Sequence, residues 1–437
     1  MSKRGPERTR TRTIQVDYLA RVEGEGSLTI KLRGEEATEV RLSIFEPPRF
    51  FEALLRGRAY REAPDITSRI CGICPVAYQM SACHALEDAL GLRPTGALRE
   101  LRRLLYAGEW IESHGLHVFL LHAPDFLGYP DAVAMAKDHG DRVKQGLRMK
   151  KAGNAIVALL GGREIHPINV RVGGFYRAPA KQELETLLPE LRWGLGACAE
   201  TLEWASGFDF PPLERDYECV ALRHEREYPF NEGRVVSSRG LDLDVRDYDA
   251  HFVEEQVSHS NALRSRIRGG GAYLCGPLAR FNLNADRLSP EIQRLAAGAG
   301  LTAPCRNPFK SILVRLVEMA HAFEEAIRII EGYVPPDRPF LEAAPRAATG
   351  FGATEAPRGL LYHRYSIDEQ GAILDAKIVP PTSQNQLAIE EDLFQLAGQL
   401  VRLPLGEATH RAEQAVRNHD PCISCATHFL KLQVERE

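Results

Sequence analysis

The sequence predicts a mainly helical fold with a small peripheral sheet, of the α+β class. The segment "LRELRRLLYAGEWIESHGLHVFLLHAPDFLG", Leu98 to Gly128, keeps apolar residues three and four positions apart throughout, which indicates long helix. The N-terminal segments "SLTIKLRG" and "TEVRLSIF" alternate apolar and polar residues instead, which is typical of strands. Strands and helices do not alternate along the chain, so a parallel sheet with crossover helices is not expected.

The elements follow in order along the chain. Residues 1–13 are basic and contain Pro and Gly, so we expect a solvated arm, and residues 14–437 are expected to form one integrated domain. Within that domain we predict a β-meander or hairpin from Ile14 to Phe45, helix from Phe51, a second helical run from Asp131 to Leu160, helices over 181–205, 311–332 and 386–402, and two strands around the turn from Asp368 to Gly371.

Composition excludes several functions. Hydrophobic residues make up 44% and charged residues 26% of the chain, and the net charge of −4 gives no field that would collect nucleic acid or anionic lipid. No apolar run approaches the ~20 residues that span a bilayer, and the N-terminus lacks the apolar stretch of a secretory signal. We therefore expect a cytoplasmic protein without a membrane span.

Two Cys-x-x-Cys pairs lie near opposite ends of the chain, in "RICGICPVAYQ" and "DPCISCATH". Each pair stands where a helix is predicted to begin, with Pro75 in a first turn, and with Asp420 as N-cap and Pro421 at the first helical position. A helix N-terminus lowers the pKa of a thiol and favours the thiolate that binds metal. The four sulfurs are therefore predicted to meet at one metal site.

Residue chemistry alone leaves the metal open. A tetrahedral zinc site is the usual use of four cysteines, although zinc ribbons join ligand pairs that lie much closer in sequence. Thiolates also bind nickel, iron and copper(I). A thioredoxin-like redox pair fits poorly without the alternating strand–helix pattern. The other five cysteines have no partner at motif spacing, and we interpret Cys83, Cys198, Cys219, Cys275 and Cys305 as buried small hydrophobes.

The two signatures, "RxCGxC" and "DPCxxCxxH", resemble those of the large subunit of nickel-iron hydrogenases. Further segments match motifs of that family in the same order: "RVEGEGSL", "FFEALLRGR", "GGREIHP", "EAPRGLL" and "PTSQN". The resemblance covers nearly the whole chain. It implies the hydrogenase large-subunit fold, with a long central helix bundle and a small N-terminal sheet.

The resemblance also implies a set of site residues. Nickel would be held by four cysteines, two of which bridge to an iron that carries cyanide and carbon monoxide; the four are Cys71, Cys74, Cys422 and Cys425, with Cys74 and Cys425 bridging. Pro357, Arg358 and Thr382 match positions beside those diatomic ligands. A fixed cation and a hydroxyl donor suit an anionic ligand in a dry pocket, because they offset its desolvation.

Other matched positions concern protons and a second metal. Glu23 matches a carboxyl that relays protons from Cys422, and Asp420 is expected to pair with Arg358. A magnesium or iron ion would be bound by Glu52, the backbone carbonyl of Ile378 and His428. The family commonly trims the chain after this histidine, so residues 429–437 are a candidate cleaved tail.

One further position has two interpretations, and two others depart from the family. His166 resembles a family position that faces the partner's nearest iron–sulfur cluster, and a histidine satisfied inside a glycine-rich turn is an equal alternative. Tyr78 stands where many relatives have His, and Ser113 before His114 stands where respiratory members have Asp. These departures favour the cytosolic bidirectional classes that exchange electrons with NAD(P) or another soluble carrier.

The function implied is reversible heterolytic cleavage of H2 into protons and electrons. The electrons would pass to an iron–sulfur small subunit and on to a flavin-containing reductase module, because no further cysteine cluster in the sequence could hold a relay. Two alternatives remain: a noncatalytic zinc-stapled protein, and a relative of the quinone-site subunit of respiratory complex I, which shares the fold but lacks the four cysteines.

Overall fold

The computed structural model describes residues 11–34 and 36–427. Long helices form its centre and small antiparallel sheets lie around them, so the predicted α+β class is confirmed. The strands are β1 (Thr11–Val16), β2 (Gly26–Arg33), β3 (Glu36–Ile44), β4 (Val170–Arg171), β5 (Gly174–Phe175), β6 (Val220–Arg223), β7 (Arg234–Ser237), β8 (Asp242–Leu243), β9 (Phe252–Gln256), β10 (Leu263–Ile267), β11 (Ala348–Ala356), β12 (Gly359–Ile367) and β13 (Ile373–Val379). The helices are α1 (Phe51–Leu55), α2 (Ala63–Ser68), α3 (Pro75–Leu90), α4 (Ala97–Leu116), α5 (Ala123–Leu127), α6 (Ala132–Gly161), α7 (Lys181–Glu185), α8 (Leu188–Ser206), α9 (Tyr248–His251), α10 (Pro277–Asn284), α11 (Pro290–Gly298), α12 (Ser311–Glu331), α13 (Pro381–Leu400), α14 (Leu405–Arg417) and α15 (Ile423–Ala426).

The N-terminal sheet is an antiparallel meander in the order β1-β2-β3, as the alternating pattern predicted. Its apolar face packs on helices α13 and α14 near the other end of the chain. Strand β1 begins at Thr11, which pairs with Arg33. Residues 11–13, expected in the basic arm, therefore belong to the sheet, because Ile14 and Val16 face this core and the pairing extends outward from them.

The helical centre is built from α4, α6, α8 and α12. The predicted helix over 98–128 is present as α4, a π-helical stretch (His117–His122) and α5, and Gly128 ends it in a left-handed conformation. Helices α4 and α6 approach closely, since a Cβ atom at Gly153 would lie 2.7 Å from the backbone nitrogen of Glu112. Only glycine permits this spacing.

Helix α3, which follows the first cysteine pair, packs on strand β11. A Cβ atom at Gly352 would lie 2.7 Å from the carbonyl oxygen of Ser81, and one at Gly350 would overlap the backbone of Ala85. The segment "GFGAT" is therefore a strand that passes close to a buried helix. Strands β12 and β13 complete this sheet around the predicted turn at Asp368 to Gly371.

The two cysteine segments meet where α3, β12, β13 and α13 come together. Within the described ranges, no helix is both long and apolar enough to cross a membrane.

Candidate metal centre

Four sulfurs from opposite ends of the chain lie in one buried cluster. The Sγ atoms of Cys71 and Cys422 are 3.6 Å apart, and those of Cys74 and Cys425 are 3.8 Å apart. Within the pairs the separations are 2.9 Å and 2.7 Å. A metal–sulfur distance of about 2.3 Å places tetrahedral ligands about 3.8 Å apart, so the separations between the pairs suit one ion that contacts all four sulfurs.

The first pair is held by its own backbone. Helix α3 begins at Pro75, as predicted, so Cys74 is its N-cap residue and Cys71 lies in the turn before it. The sulfur of Cys71 accepts hydrogen bonds from the backbone N–H groups of Ile73 (3.3 Å) and Cys74 (3.1 Å). Burial opposes ionisation of Cys71, but hydrogen bonds from the other thiols outweigh it and lower its pKa.

The second pair differs from the prediction. Asp420 and Pro421 do not begin the helix: α15 begins at Ile423, and Asp420 has a left-handed φ of 50°. The extended Cys422 forms a parallel bridge with Glu23, and the N–H of Ile423 donates to the Glu23 carbonyl at 2.8 Å. The helix begins later than predicted because Glu23, a residue distant in sequence, and not a local N-cap accepts from its first N–H groups.

The Glu23 carboxylate also lies against the second pair. Its Oε2 atom accepts from the sulfur of Cys422 (3.0 Å) and from the backbone N–H of Ser424 (3.0 Å). The hydroxyl of Ser424 in turn donates to Oε2 of Glu46 at 2.8 Å. Burial is the largest of the effects that raise the pKa of Cys422. Ser424 thus lies between the two carboxylates, with its N–H on Glu23 and its hydroxyl on Glu46.

Arg358 places a buried cation beside the sulfurs. Its Nε donates to the carbonyl of Asp420 at 2.8 Å, and its Nη2 lies 3.2 Å from Oδ1 of that residue. Burial opposes the charge of Arg358, but Asp420 and the nearby sulfurs outweigh it and raise the pKa of the guanidinium. Within the described residues, Nη1 of Arg358 and Oδ2 of Asp420 are buried without a hydrogen-bond partner. An unpaired guanidinium edge fits an anionic ligand on a metal at this position.

Thr382 and Pro357 are also at the centre. The Thr382 hydroxyl accepts from the backbone N–H of Cys422 at 2.9 Å, and the carbonyl of Pro357 accepts from Arg280 at 2.8 Å. The first contact fixes the second cysteine pair, and the second fixes the turn that carries Arg358. Roles of these residues toward diatomic ligands stay predictions.

One residue that joins the two pairs escaped sequence analysis. Nη2 of Arg49 donates to the carbonyl of Ile70 (2.7 Å) and to that of Ser424. The backbone N–H of Arg49 donates to the carbonyl of Thr427 at 2.6 Å. Arg49 directly precedes the segment "FFEALLRGR", and this neighbourhood was the only signal in the sequence.

The candidate second metal site is described in part. Glu52 accepts a hydrogen bond from the backbone N–H of Ile378 at 2.7 Å, so these two predicted ligand residues are adjacent. His428, the third, lies outside the described residues, as does the candidate tail 429–437. Ion binding at Glu52, Ile378 and His428 stays a prediction.

The remaining singled-out residues are buried or satisfied. His166 Nδ1 lies 2.8 Å from the carbonyl of Ser68, the residue before the first signature, which favours the satisfied-histidine interpretation. Tyr78 is buried one turn after Cys74. His114 contacts Glu318 at 2.9 Å, and burial lowers the pKa of His114 to about 4.

The five other cysteines are buried, as expected. Burial raises the pKa of Cys219 to about 11. A second group of metal-ligand types in the described residues comprises His224, Glu227 and Glu232. Arg99 and Arg103 already form ion pairs with its carboxylates, so guanidinium groups of the same chain balance their charge.

Comparisons with known proteins agree with this centre. The chain matches the nickel-dependent hydrogenase family over residues 49–145 and 277–428. It is 34% identical to sulfhydrogenase 2 subunit alpha of Pyrococcus furiosus over 422 residues, which cover 96% of this chain and 100% of that protein. It is 26% identical to NAD-reducing hydrogenase HoxS subunit beta of Cupriavidus necator, over 96% of this chain and 95% of the other.

A solved structure extends the match to three dimensions. The NAD+-reducing [NiFe]-hydrogenase in its H2-reduced state superposes with a TM-score of 0.86 at 27% identity, covering 95% of this chain and 99% of that chain. A Ni-Fe-Se hydrogenase from Desulfovibrio vulgaris shares the fold, with a TM-score of 0.75 at 21% identity.

Proposed function

The chain belongs to the nickel-dependent hydrogenase family, and from this premise we propose how its residues serve the reaction. It is the catalytic large subunit of a nickel-iron hydrogenase, for the reversible reaction H2 ⇌ 2 H+ + 2 e−. The observation that carries this conclusion is the convergence of four buried sulfurs from opposite ends of the chain.

The sulfurs of Cys71, Cys74, Cys422 and Cys425 would hold the nickel-iron centre, with Cys74 and Cys425 shared between the metals. When bound, that centre supplies the Lewis acidity that polarises dihydrogen. Arg358 and Thr382 would face the cyanide and carbon monoxide ligands of iron. The unpaired Nη1 of Arg358 supports this role, because an anionic ligand needs a fixed donor in a dry pocket.

Arg358 also keeps its charge in place for turnover. Asp420 fixes the guanidinium through two contacts, so the cation is already oriented when charge changes at the sulfurs. Such preorganised charge lowers a barrier without reorganisation of the site. Asp420 would act through this orientation and through its unpaired Oδ2 atom.

Glu23 would receive protons from the thiol of Cys422. The 3.0 Å contact is within the range for proton transfer. Ser424 is the next residue, with its backbone N–H on Glu23 and its hydroxyl on Glu46, and the partly buried Glu46 lies toward the surface.

Glu52, the carbonyl of Ile378 and His428 would bind magnesium or iron. Two oxygen ligands suit a hard cation. The ion would lock the segment that follows the second cysteine pair.

Electrons would leave to partner subunits. In the described part of the chain, the four-cysteine cluster is the only all-cysteine metal site, so a relay of iron–sulfur clusters has to lie elsewhere. An iron–sulfur small subunit would receive the electrons, and a flavin and iron–sulfur reductase module would pass them to NAD(P). The likeness to NAD-reducing hydrogenases supports this assembly, and its soluble carrier would place the enzyme in the cytoplasm.

The test uses the purified native assembly. Nickel and iron are measured per large subunit, and H2-dependent reduction of NAD+ and NADP+ is compared with reduction of an artificial dye. We expect nickel and iron in the protein, dye reduction, and reduction of at least one nicotinamide. Zinc without nickel would favour a noncatalytic stapled protein, and dye reduction alone would reject the NAD(P) partner.

A further inference from the structure

Two carboxyl groups on helix α4 lie behind the first cysteine pair and have no assigned role. Glu109 is 1% exposed. Its carboxylate accepts from the backbone N–H groups of Val76 (2.6 Å) and Ala77 (3.1 Å), the first free donors of α3. Glu109 therefore touches the helix that starts at Cys74 without contacting a sulfur in any hydrogen bond of the described residues.

Glu112 lies one turn further along α4 and leads to the surface. Residues three positions apart share one face of a helix, so the two carboxyls are neighbours. Glu112 pairs with Lys150 of α6 at 2.9 Å. The Glu112 side chain is 12% and the Lys150 side chain 28% exposed. Lys150 reaches Glu112 because Gly153 allows the two helices to approach closely.

The surroundings raise the pKa of both carboxyl groups. Burial raises the pKa of Glu109, Glu112 and Cys71 raise it further, and the N–H donors of α3 only partly oppose this. Burial also raises the pKa of Glu112, against the opposing effects of Lys150 and Arg358. A carboxyl that binds its proton closer to neutral pH is better matched to proton transfer than a surface one.

A purely structural role explains Glu109 poorly. An amide or hydroxyl could accept the same two N–H donors without the cost of burying a carboxylate. The proposed reaction releases two protons for each H2, and among the described residues the sulfur that Glu23 contacts is that of Cys422, in the second cysteine pair.

We infer that Glu109 and Glu112 form a second proton exit, which serves the first cysteine pair. A proton released beside Cys71 and Cys74 passes to the Glu109 carboxylate, then to Glu112, and then to water beside Lys150. Protons alone move along this line, while both electrons leave to the partner subunit. The inference rests on the hydrogen turnover proposed above and adds a route to it.

The test compares four forms of the native assembly with the wild type: Glu109→Gln, Glu23→Gln, the double variant, and Glu324→Gln as control. Glu324 matches Glu109 because it is a partly buried carboxyl of raised pKa that accepts a hydrogen bond from Ser289, but it lies on α12 away from the sulfurs. Rates are expressed per nickel, so that loss of metal does not count as loss of proton transfer.

Two parallel exits predict additive rates. Glu23→Gln should keep a residual turnover. Adding Glu109→Gln should reduce this residual turnover by at least ~10-fold, which is a modest part of what a positioned acid–base group contributes. In exchange between D2 and water, the double variant should release less H2 relative to HD than Glu23→Gln, because the deuteron stays longer at the site. Glu324→Gln should change neither quantity. Equal rates and equal isotope ratios in Glu23→Gln and the double variant would overturn the inference.

A measurement that does not depend on turnover distinguishes a proton-transfer role of Glu109 from a purely structural one. The infrared carbonyl band that appears when Glu109 binds a proton should be seen in a pH titration of the wild type and should be missing from that of Glu109→Gln. If that variant loses nickel while the band and the per-nickel isotope ratio stay as in the wild type, Glu109 only supports α3 and the relay is rejected. A wild type without any H2 turnover would reject the proposed function instead, so the two failures are distinct.

Discussion

The two cysteine pairs reach one cluster by different means. The first precedes α3, a 16-residue helix that is buried over most of its surface, and Cys71 takes hydrogen bonds from its own turn. The second precedes α15, which has four residues and is held by Glu23, Arg49, Arg358 and Thr382 from distant segments. The first pair is therefore set by local structure and the core, whereas the second depends on contacts that form only when the chain ends come together.

Removal of a ligand from either pair should have the largest effect. Cys71→Ala and Cys422→Ala each leave three sulfurs, so we expect hydrogen turnover at background level and nickel well below one per chain. Metal analysis and H2 oxidation on the same preparation check this. Cys198→Ala, at a buried cysteine away from the cluster, is the control and should keep its nickel. Normal turnover with a normal nickel content in either variant would show that the substituted cysteine is not a metal ligand.

Loss of the carboxyl at Glu23 should be nearly as severe for turnover but not for metal. Glutamine keeps the shape and can accept the Ser424 N–H, yet it cannot carry a proton. We expect Glu23→Gln to load nickel and iron and to lose at least ~10²-fold in turnover, the usual scale for a positioned acid–base group.

Two outcomes would contradict that prediction. Wild-type turnover would exclude Glu23 from the proton path. Joint loss of nickel and turnover would mean that Glu23 supports the second pair structurally, as its bridge to Cys422 also allows. Glu25→Gln, two residues away and exposed, is the matched control and should behave as the wild type.

The same contrast explains what the sequence could predict. Apolar periodicity located α4, α12 and the N-terminal meander, because these elements bury one continuous face. Pro75 correctly marked the start of α3. Asp420 and Pro421 carried the same kind of signal, yet α15 starts later, since the contacts of Glu23 override local capping.

Contacts between distant segments left no local pattern. Arg49 joins the two cysteine segments through backbone carbonyls, and Glu109 takes the first donors of α3 from another helix. Neither contact follows a spacing rule, because the partners are main-chain atoms far away in sequence. The resemblance to a family identified the predicted metal ligands. Arg49 and Glu109, which support them, could be identified only from the three-dimensional structure.

Arg49→Gln should affect the second pair more than the first. The substitution removes the guanidinium donors to Ile70 and Ser424, and lost hydrogen bonds from a charged group cost about 1.5–3 kcal/mol. Since α3 has its own core, we expect faster hydrogen exchange around residues 422–426, unchanged protection in α3, and partial loss of nickel.

Hydrogen exchange measured by mass spectrometry, with nickel analysis, tests this expectation. Arg56→Gln is the control, because Arg56 pairs with Asp375 on the surface and touches neither cysteine segment. Equal loss of protection in α3 and around residues 422–426 would show that both pairs depend on the same contacts, and the contrast between them would fail.

The smallest effect is expected at Thr382. Thr382→Val keeps the shape of the side chain but removes the acceptor of the Cys422 N–H, which would then be buried without a partner. Loss of one such bond costs about 1–3 kcal/mol, which is locally large for a four-residue helix and small for the whole fold. Faster exchange of amides near Cys422 with an unchanged thermal midpoint is therefore expected, and Thr382→Ser should restore slow exchange because it returns the hydroxyl.

Thr349→Val, which removes an exposed hydroxyl that bonds to Ser366, serves as the control. If Thr382→Val and Thr349→Val exchange alike near Cys422, the hydroxyl does not hold the second pair, and Glu23 with Arg49 must suffice.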